Sequence, residues 1–273
     1  MSRDITKGEQ ALALGISRSN LYYQSKQEAK DEAVKIMLEE ALRYHPSYGH
    51  KRLATHLSMG KNRIKRVMKL FDIRPYRRRG KKWLKVRADG VDYPNLIKDV
   101  TPMYQGHIWA SDFTYLWFQG AWLYVATIID LYTRKIVGLA ISRNHDRWLV
   151  TAALMDALNH SGRPAIIHSD HGSEYKSRDY QDVLSRVGVT PSMAAKGCPW
   201  ENGYQESFYS GFKIELGDQG RFQSVGELTA RIYQQIYYYN NQRIHTALTM
   251  APNAFARQYA TLKVITRDVE LVS

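Results

Sequence analysis

The sequence predicts an α/β domain, a mixed five-stranded sheet with flanking helices, preceded by a small all-α region. Three observations predict it. Between residues 107 and 143 three apolar, strand-like runs follow one another across short breaks. From 147 to 240 helical patterns alternate with short apolar strands. Residues 1–71 read instead as helix-period segments.

In order, GEQALAL and SRSNLYYQ outline two short helices around Gly15, the second capped by Ser17. EAKDEAVKIMLEEALRY is an amphipathic helix over 28–44, with Val34, Met37, Leu38, Ala41 and Leu42 at three- and four-residue spacing. A second helix-turn-helix pattern follows. HKRLATHL is one helix, Met59 and Gly60 make the turn, and NRIKRVMKLF is the next, with Asn62 as its expected cap. Ile64, Val67, Met68 and Phe71 face inward there, and Lys61, Arg63, Lys65, Arg66 and Lys69 form the basic outer face that a recognition helix needs. Residues 72–100 have little periodicity and many turn formers, and read as a basic linker carrying Arg77, Arg78, Arg79, Lys81 and Lys82.

Strands at about 107–118 and 121–130 meet at Gln119-Gly120, and a third runs over about 135–143. A helix at about 147–159, a strand at 164–169, a helix at 177–187 and a short strand near 189–193 come next. The loop AAKGCPWENG leads into a helix carrying Glu206, and a last helix covers about 224–240. Three antiparallel strands followed by alternating helices and strands is the order of a ribonuclease-H-like fold.

Composition narrows the function. The chain is 44% hydrophobic, enough for a globular core. No uninterrupted apolar stretch approaches the length of a membrane span, and the N-terminus lacks the apolar centre of a signal peptide. A single cysteine, Cys198, excludes an internal disulfide and a cysteine-pair zinc site, and fits a reducing cytoplasm. The net charge of +13 is concentrated: residues 61–87 hold thirteen Lys or Arg against one acid, Asp72. Such a segment should bind DNA or RNA with strong salt dependence, because neutralised phosphates release counterions.

Three acids carry the chemistry. Asp112 lies within HIWASDFTYLWF and Asp170 ends AIIHSD, where charge in a half-buried strand is costly unless compensated. Glu206 sits on the helix of ENGYQESFYSGFKIE. Oxygen-only ligands suit magnesium or manganese, and a carboxylate-held metal pair is a device for breaking and joining phosphodiesters. Each acid alone has an ordinary reading: a hydrogen-bonded strand residue, a turn cap, a solvated helix residue. Asp130, Glu174, Glu201 and Glu215 are rivals. Asn202 lies one turn before Glu206, and Lys213 two turns after it on roughly the same face.

The strings WASDFTYL, HSDHGSEY, KGCPWENGYQESFYSGFKIE and YYNNQRIHTALTMAPNAF resemble the catalytic core shared by retroviral integrases and bacterial insertion-sequence transposases, in particular the second-frame product (OrfB) of the IS-three family. The resemblance covers most of residues 10–257. It implies that Asp112, Asp170 and Glu206 are the family's catalytic, metal-binding acids, with the usual 35-residue gap between the last two. It puts Lys213 at the basic position that follows them and two divalent ions in the site. DNA strand cleavage and 3′-hydroxyl transfer during transposition are the implied activity. Arg243 and His245 match a late signature, as DNA contacts or as a tether; His168 orients a ligand or packs. The implied organisation is a DNA-binding region at 1–71, a linker at 72–104, a core at 105–257 and a tail at 258–273. The implied partners are double-stranded DNA, further copies of the chain, and the first-frame product (OrfA), separate or fused by frameshifting. A nucleoid-associated location follows. A non-enzymatic DNA-binding regulator and an RNA–DNA hybrid nuclease are the competing classes.

Overall fold

The computed structural model describes residues 6–22, 26–76, 93–195 and 198–259. Arg77, Arg78, Arg79, Lys81 and Lys82 therefore lie outside the described residues.

Helix α1 (Lys7–Ala13) begins with a capping box between Thr6 and Glu9. The second helix expected after Ser17 is a single 3-10 turn, Arg18–Tyr22. Leu12 and Leu14 are exposed, so this segment has little apolar surface against which a longer helix would be stabilised. Helices α2 (Gln27–Tyr44), α3 (His50–His56) and α4 (Lys61–Leu70) close around Val34, Leu38, Tyr48, Leu53, Ile64 and Val67. The N-cap of α4 is Gly60, and Asn62 falls inside the first turn, because the chain already turns at Ser58 with positive φ. Asp31 of α2 is buried in this unit and is bound by Arg66 of α4.

The sheet is five-stranded, in the order β3-β2-β1-β4-β5. Strands β1 (Ile108–Phe118) and β2 (Ala121–Asp130) form an antiparallel hairpin in unbroken register from Trp109↔Asp130 to Phe118↔Ala121. Both loop residues have positive φ, Gln119 at 48° and Gly120 at 77°, which matches the right-handed twist of the flanking strands. β3 (Ile136–Ser142) pairs antiparallel with β2. β4 (Ile166–Ser169) runs parallel to β1, pairing only with residues 108–110, and β5 (Thr190–Met193) runs parallel to β4. Helices α5 (Arg147–Ser161) and α6 (Arg178–Val187) cover one face, around Trp109, Ile128, Leu154 and Tyr180. Helices α7 (Gly203–Leu216) and α8 (Val225–Asn241) cover the other, around Ile108, Val125, Phe208, Phe212 and Ile232. A further short helix runs over 252–259.

Gly138 lets β3 and α5 approach closely. A Cβ there would run into the Ala153 carbonyl and come within 2.8 Å of the Ala157 Cβ. Gly138→Ala is expected to cost about 1–3 kcal/mol of folding stability, as overpacked cores do. A urea midpoint unchanged by the substitution would reject this close approach.

The helical unit is fastened to the sheet domain. Tyr48 Oη accepts from the Ile244 amide at 2.8 Å, His45 Nδ1 meets Tyr238 Oη, and Ser47 Oγ donates to Glu215. The end of the expected linker is fastened too: the Leu96 amide donates to Ser192 Oγ, and Pro94 O accepts from the Met193 amide. Among the described residues no helix is long and apolar enough to cross a membrane.

Candidate active site

Asp112 sits in the middle of β1, Asp170 immediately after β4, and Glu206 in the first turn of α7. Three buried hydrogen-bonding side chains set the depth of α7. Gln205 Nε2 donates to the carbonyls of Ala110 (2.6 Å) and Thr127 (3.0 Å), Tyr209 Oη donates to the Asp112 carbonyl (2.8 Å), and Asn202 Nδ2 donates to the Ser111 carbonyl (3.3 Å). Gln205, Phe208, Tyr209, Phe212 and Leu216 form the buried face. Glu206, one residue on, is turned about 100° from Gln205 by the helix period, onto the margin beside β1.

The acids sense one another. The Asp112 carboxyl is pushed up to about 8, first by burial and then by the charges of Asp170 and Glu206, with Lys213 pulling the other way. Asp170 opens to solvent, yet the protein around it raises its pKa and Glu174 adds to the effect. Burial raises Glu206. As they stand, the three do not close on a common point, and among the described residues no group of three His, Cys, Asp or Glu is arranged to hold a metal ion. Local donors hold the two Asp side chains: Phe113 N to Asp112 Oδ1 (2.8 Å) and Gly172 N to Asp170 Oδ1 (2.9 Å). Three carboxyls, two of whose charges raise the third, fit a divalent cation chemically, because a cation would relieve the repulsion that raises Asp112.

The rival acids are occupied by structural partners. Asp130 accepts from the amides of Gly106, Tyr132 and Thr133, from Trp109 Nε1 and from Thr133 Oγ1. Glu201 accepts from Asn95 and the Ala195 amide. Glu215 binds Ser47, Gln235 and Arg243. Glu174 lies 3.0 Å from His145 Nε2.

Several expected contacts take other places. Arg243, read as a DNA contact, is 6% exposed and donates Nε to Glu215 at 2.6 Å, so it is a buried tether. Arg66 commits its guanidinium to Asp31, a buried anion that needs it. Lys61, Arg63, Lys65 and Lys69 are exposed on α4. Lys213 Nζ lies over the Tyr115 ring, 5.1 Å from its centroid. His245 pairs with Met250 through the backbone, and burial pushes its pKa down to about 4. Asn202 is buried, and its Oδ1 has no partner among the described residues.

The sequence reading missed three residues: Gln205 and Tyr209, whose signal was their place on the buried stripe of α7, and His145. That ring stacks on Tyr124 and packs against Phe113, with centroids at 5.2 and 4.6 Å, and adjoins Glu174. Nothing in the local sequence marks it, since its partners come from three distant segments.

His168 is fully buried, with Nδ1 against Ser192 Oγ at 2.9 Å, and desolvation pushes its pKa down to about 4. The unfolded chain takes up a proton near pH 6.5 and the folded chain does not. This histidine's contribution is therefore complete above that pH and declines as pH falls toward 4. The stability difference between the wild type and His168→Gln should shrink by up to about 1.4 kcal/mol per pH unit across that window. A difference independent of pH in urea titrations would contradict it.

Two integrase core domain families match the chain, over residues 104–199 and 187–252. The chain is 33% identical over 267 residues to a 31 kDa protein of insertion element IS600 from Shigella sonnei, covering 90% of this chain and 96% of the relative. It is 32% identical over 235 residues to the transposase for insertion sequence element IS904 of Lactococcus lactis, covering 82% and 93%. In fold it is similar to a chain of the simian T-cell lymphotropic virus intasome, with a TM-score of 0.51 and 15% identity over 76% of this chain and 74% of that one.

Proposed function

Because this chain belongs to the insertion-sequence transposases built on an integrase core, and so is a DDE-type enzyme of DNA phosphoryl transfer, we propose that Asp112, Asp170 and Glu206 are its reaction centre. The observation that carries the assignment is the Asp112 carboxyl, raised to about 8 in part by the charges of the other two. Their rivals are bound to structural partners.

Divalent cations held by these oxygens, magnesium or manganese and two to a site, would supply the Lewis acidity that activates an attacking oxygen and neutralises a departing one. The chain's own residues do the positioning. Gln205, Tyr209 and Asn202 fix α7 against the backbone of β1 and β2, which holds Glu206 in register with Asp112. Lys213, two turns on, brings a cation beside the acids, suited to a phosphate of the bound strand. The attacking group is water in cleavage and a DNA 3′-hydroxyl in joining, each in line with the bond that breaks. Lys61, Arg63, Lys65 and Lys69 on α4 face the duplex as sequence-reading or phosphate contacts. The partners are transposon-end and target DNA, further copies of the chain, and the first-frame product. The helical region to residue 71 serves binding, and the core from 105 to 257 serves chemistry.

The test mixes purified protein, magnesium and labelled end DNA. Glu206→Gln is expected to lose joining by on the order of 10³-fold while still binding the duplex. Joining at the wild-type rate would remove Glu206 from the reaction centre.

A further inference from the structure

Beyond Asp112, β1 carries large aromatic rings that remain open to solvent. Tyr115 is 51% exposed, Trp117 53% and, opposite it on β2, Trp122 43%. The rings form a ladder: Trp117 and Trp122 lie 4.8 Å apart and Tyr115 and Trp122 5.0 Å apart, edge to face. Three aromatic side chains of this size side by side on a surface mark a binding patch more than incidental exposure.

Two features aim the patch at the reaction centre. Lys213 lies over the Tyr115 ring and also acts on the Asp112 carboxyl, so one cation spans the carboxylates and the first rung of the ladder. Past Ala110, β1 has no strand neighbour on its β4 side among the described residues. Asp112 shares the sheet face of Leu116 and Phe118, covered by α7 and α8, whereas Tyr115 and Trp117 lie on the opposite face. A strand held at Asp112 therefore reaches the rings round this open edge, over roughly 17 Å of β1.

The geometry points to a stacking platform for unpaired DNA bases. A strand whose phosphodiester lies at Asp112, Asp170 and Glu206 lays its neighbouring, unpaired bases on Tyr115, Trp117 and Trp122, with Lys213 at its phosphates. This rests on the reaction centre proposed above. Stacking suits the chemistry: every base has a π-face, so the platform accepts any sequence, and a terminal base pair opened at the cleavage point would be held open. The ammonium of Lys213 over the first rung favours a polyanion as occupant over a second copy of this chain.

The experiment uses the full chain without divalent cation, so it reads binding independently of strand joining. A mixed-sequence duplex is compared with the same duplex carrying a single-stranded oligothymidine tail. The wild type is expected to prefer the tailed probe roughly tenfold or more, with quenched tryptophan fluorescence. Trp117→Ala/Trp122→Ala should abolish the preference, measured against its own affinity for the paired duplex, and Trp117→Phe/Trp122→Phe should restore it. An equal preference in the Ala variant overturns the platform, as does a wild type indifferent to the tail. Loss of self-association in the Ala variant, with tail preference intact, overturns it in favour of a contact between copies. Failure of strand joining in a wild type that still prefers the tail would instead strike the reaction centre.

Discussion

Asp112→Asn is expected to abolish strand joining and, at the same time, to raise the melting temperature of the cation-free protein. The first half follows from the role proposed for the carboxylate: an amide offers a neutral oxygen where a charged ligand is required, and a loss of at least about 10³-fold is expected. The second half follows from electrostatics alone. Asp112 is pushed up to about 8 from an ordinary value of 3.8 by burial and by two neighbouring acids. Because its folded pKa lies above its unfolded one, the folded state holds the proton more tightly. Cation-free stability therefore falls as pH rises between about 4 and about 8, by up to about 1.4 kcal/mol per unit. Asn removes that cost. Calorimetry in a chelator at pH 8 should show the variant melting above the wild type, with the gap closing toward pH 4. Magnesium should raise the wild-type melting temperature and leave the variant nearly unmoved. A variant that melts lower at pH 8 would show that the charge is compensated in the free protein.

The combination of lost activity and gained stability separates this reading from a structural one. A carboxylate serving the fold, such as Asp130 with its five donors, would do the opposite when neutralised. That contrast marks the limit of what the residues disclose unaided. The hairpin was legible because Gln119-Gly120 separates two alternating apolar runs, and α7 and α8 because their apolar positions recur at helical spacing. The short parallel strands β4 and β5 were legible as apolar runs between helices. The cap of α4 is Gly60 rather than Asn62, because the turn at Ser58 starts the helix two residues before the side chain best suited to cap it. The stub Arg18–Tyr22 looked like a helix because propensity is local, whereas its shortness reflects missing tertiary support. Among seven candidate acids, spacing and resemblance favoured three. Partner count, which no spacing encodes, is what sets those three apart physically. Arg243 was ambiguous for the same reason, because its partner Glu215 lies 28 residues away across two packed helices.

Glu215→Ala or Arg243→Ala is expected to destabilise the protein by about 3–5 kcal/mol, the cost of stranding one member of a buried ion pair. Arg243 Nε reaches Glu215 Oε1 at 2.6 Å, and Gln235 Nε2 reaches Oε2 at 2.7 Å. Ser47 of the helical unit donates to the same carboxylate, and the neighbouring Ile244 amide bonds to Tyr48 Oη. The pair therefore sits in the seam between the helical unit and the sheet domain, with α7, α8 and the α2–α3 connection meeting at one anion. Replacing both charges together, in Glu215→Leu/Arg243→Met, should recover much of the loss, because no buried charge is then left alone. A double-mutant cycle from urea denaturation measures that coupling. The same variants decide between tether and DNA contact. As a tether, Arg243 changes stability and leaves the salt dependence of DNA binding as it is in the double variant. As a phosphate contact, Arg243→Ala would fold with near wild-type stability and reduce the slope of log affinity against log salt by about one. A stable Arg243→Ala protein with that reduced slope would return the residue to the DNA interface.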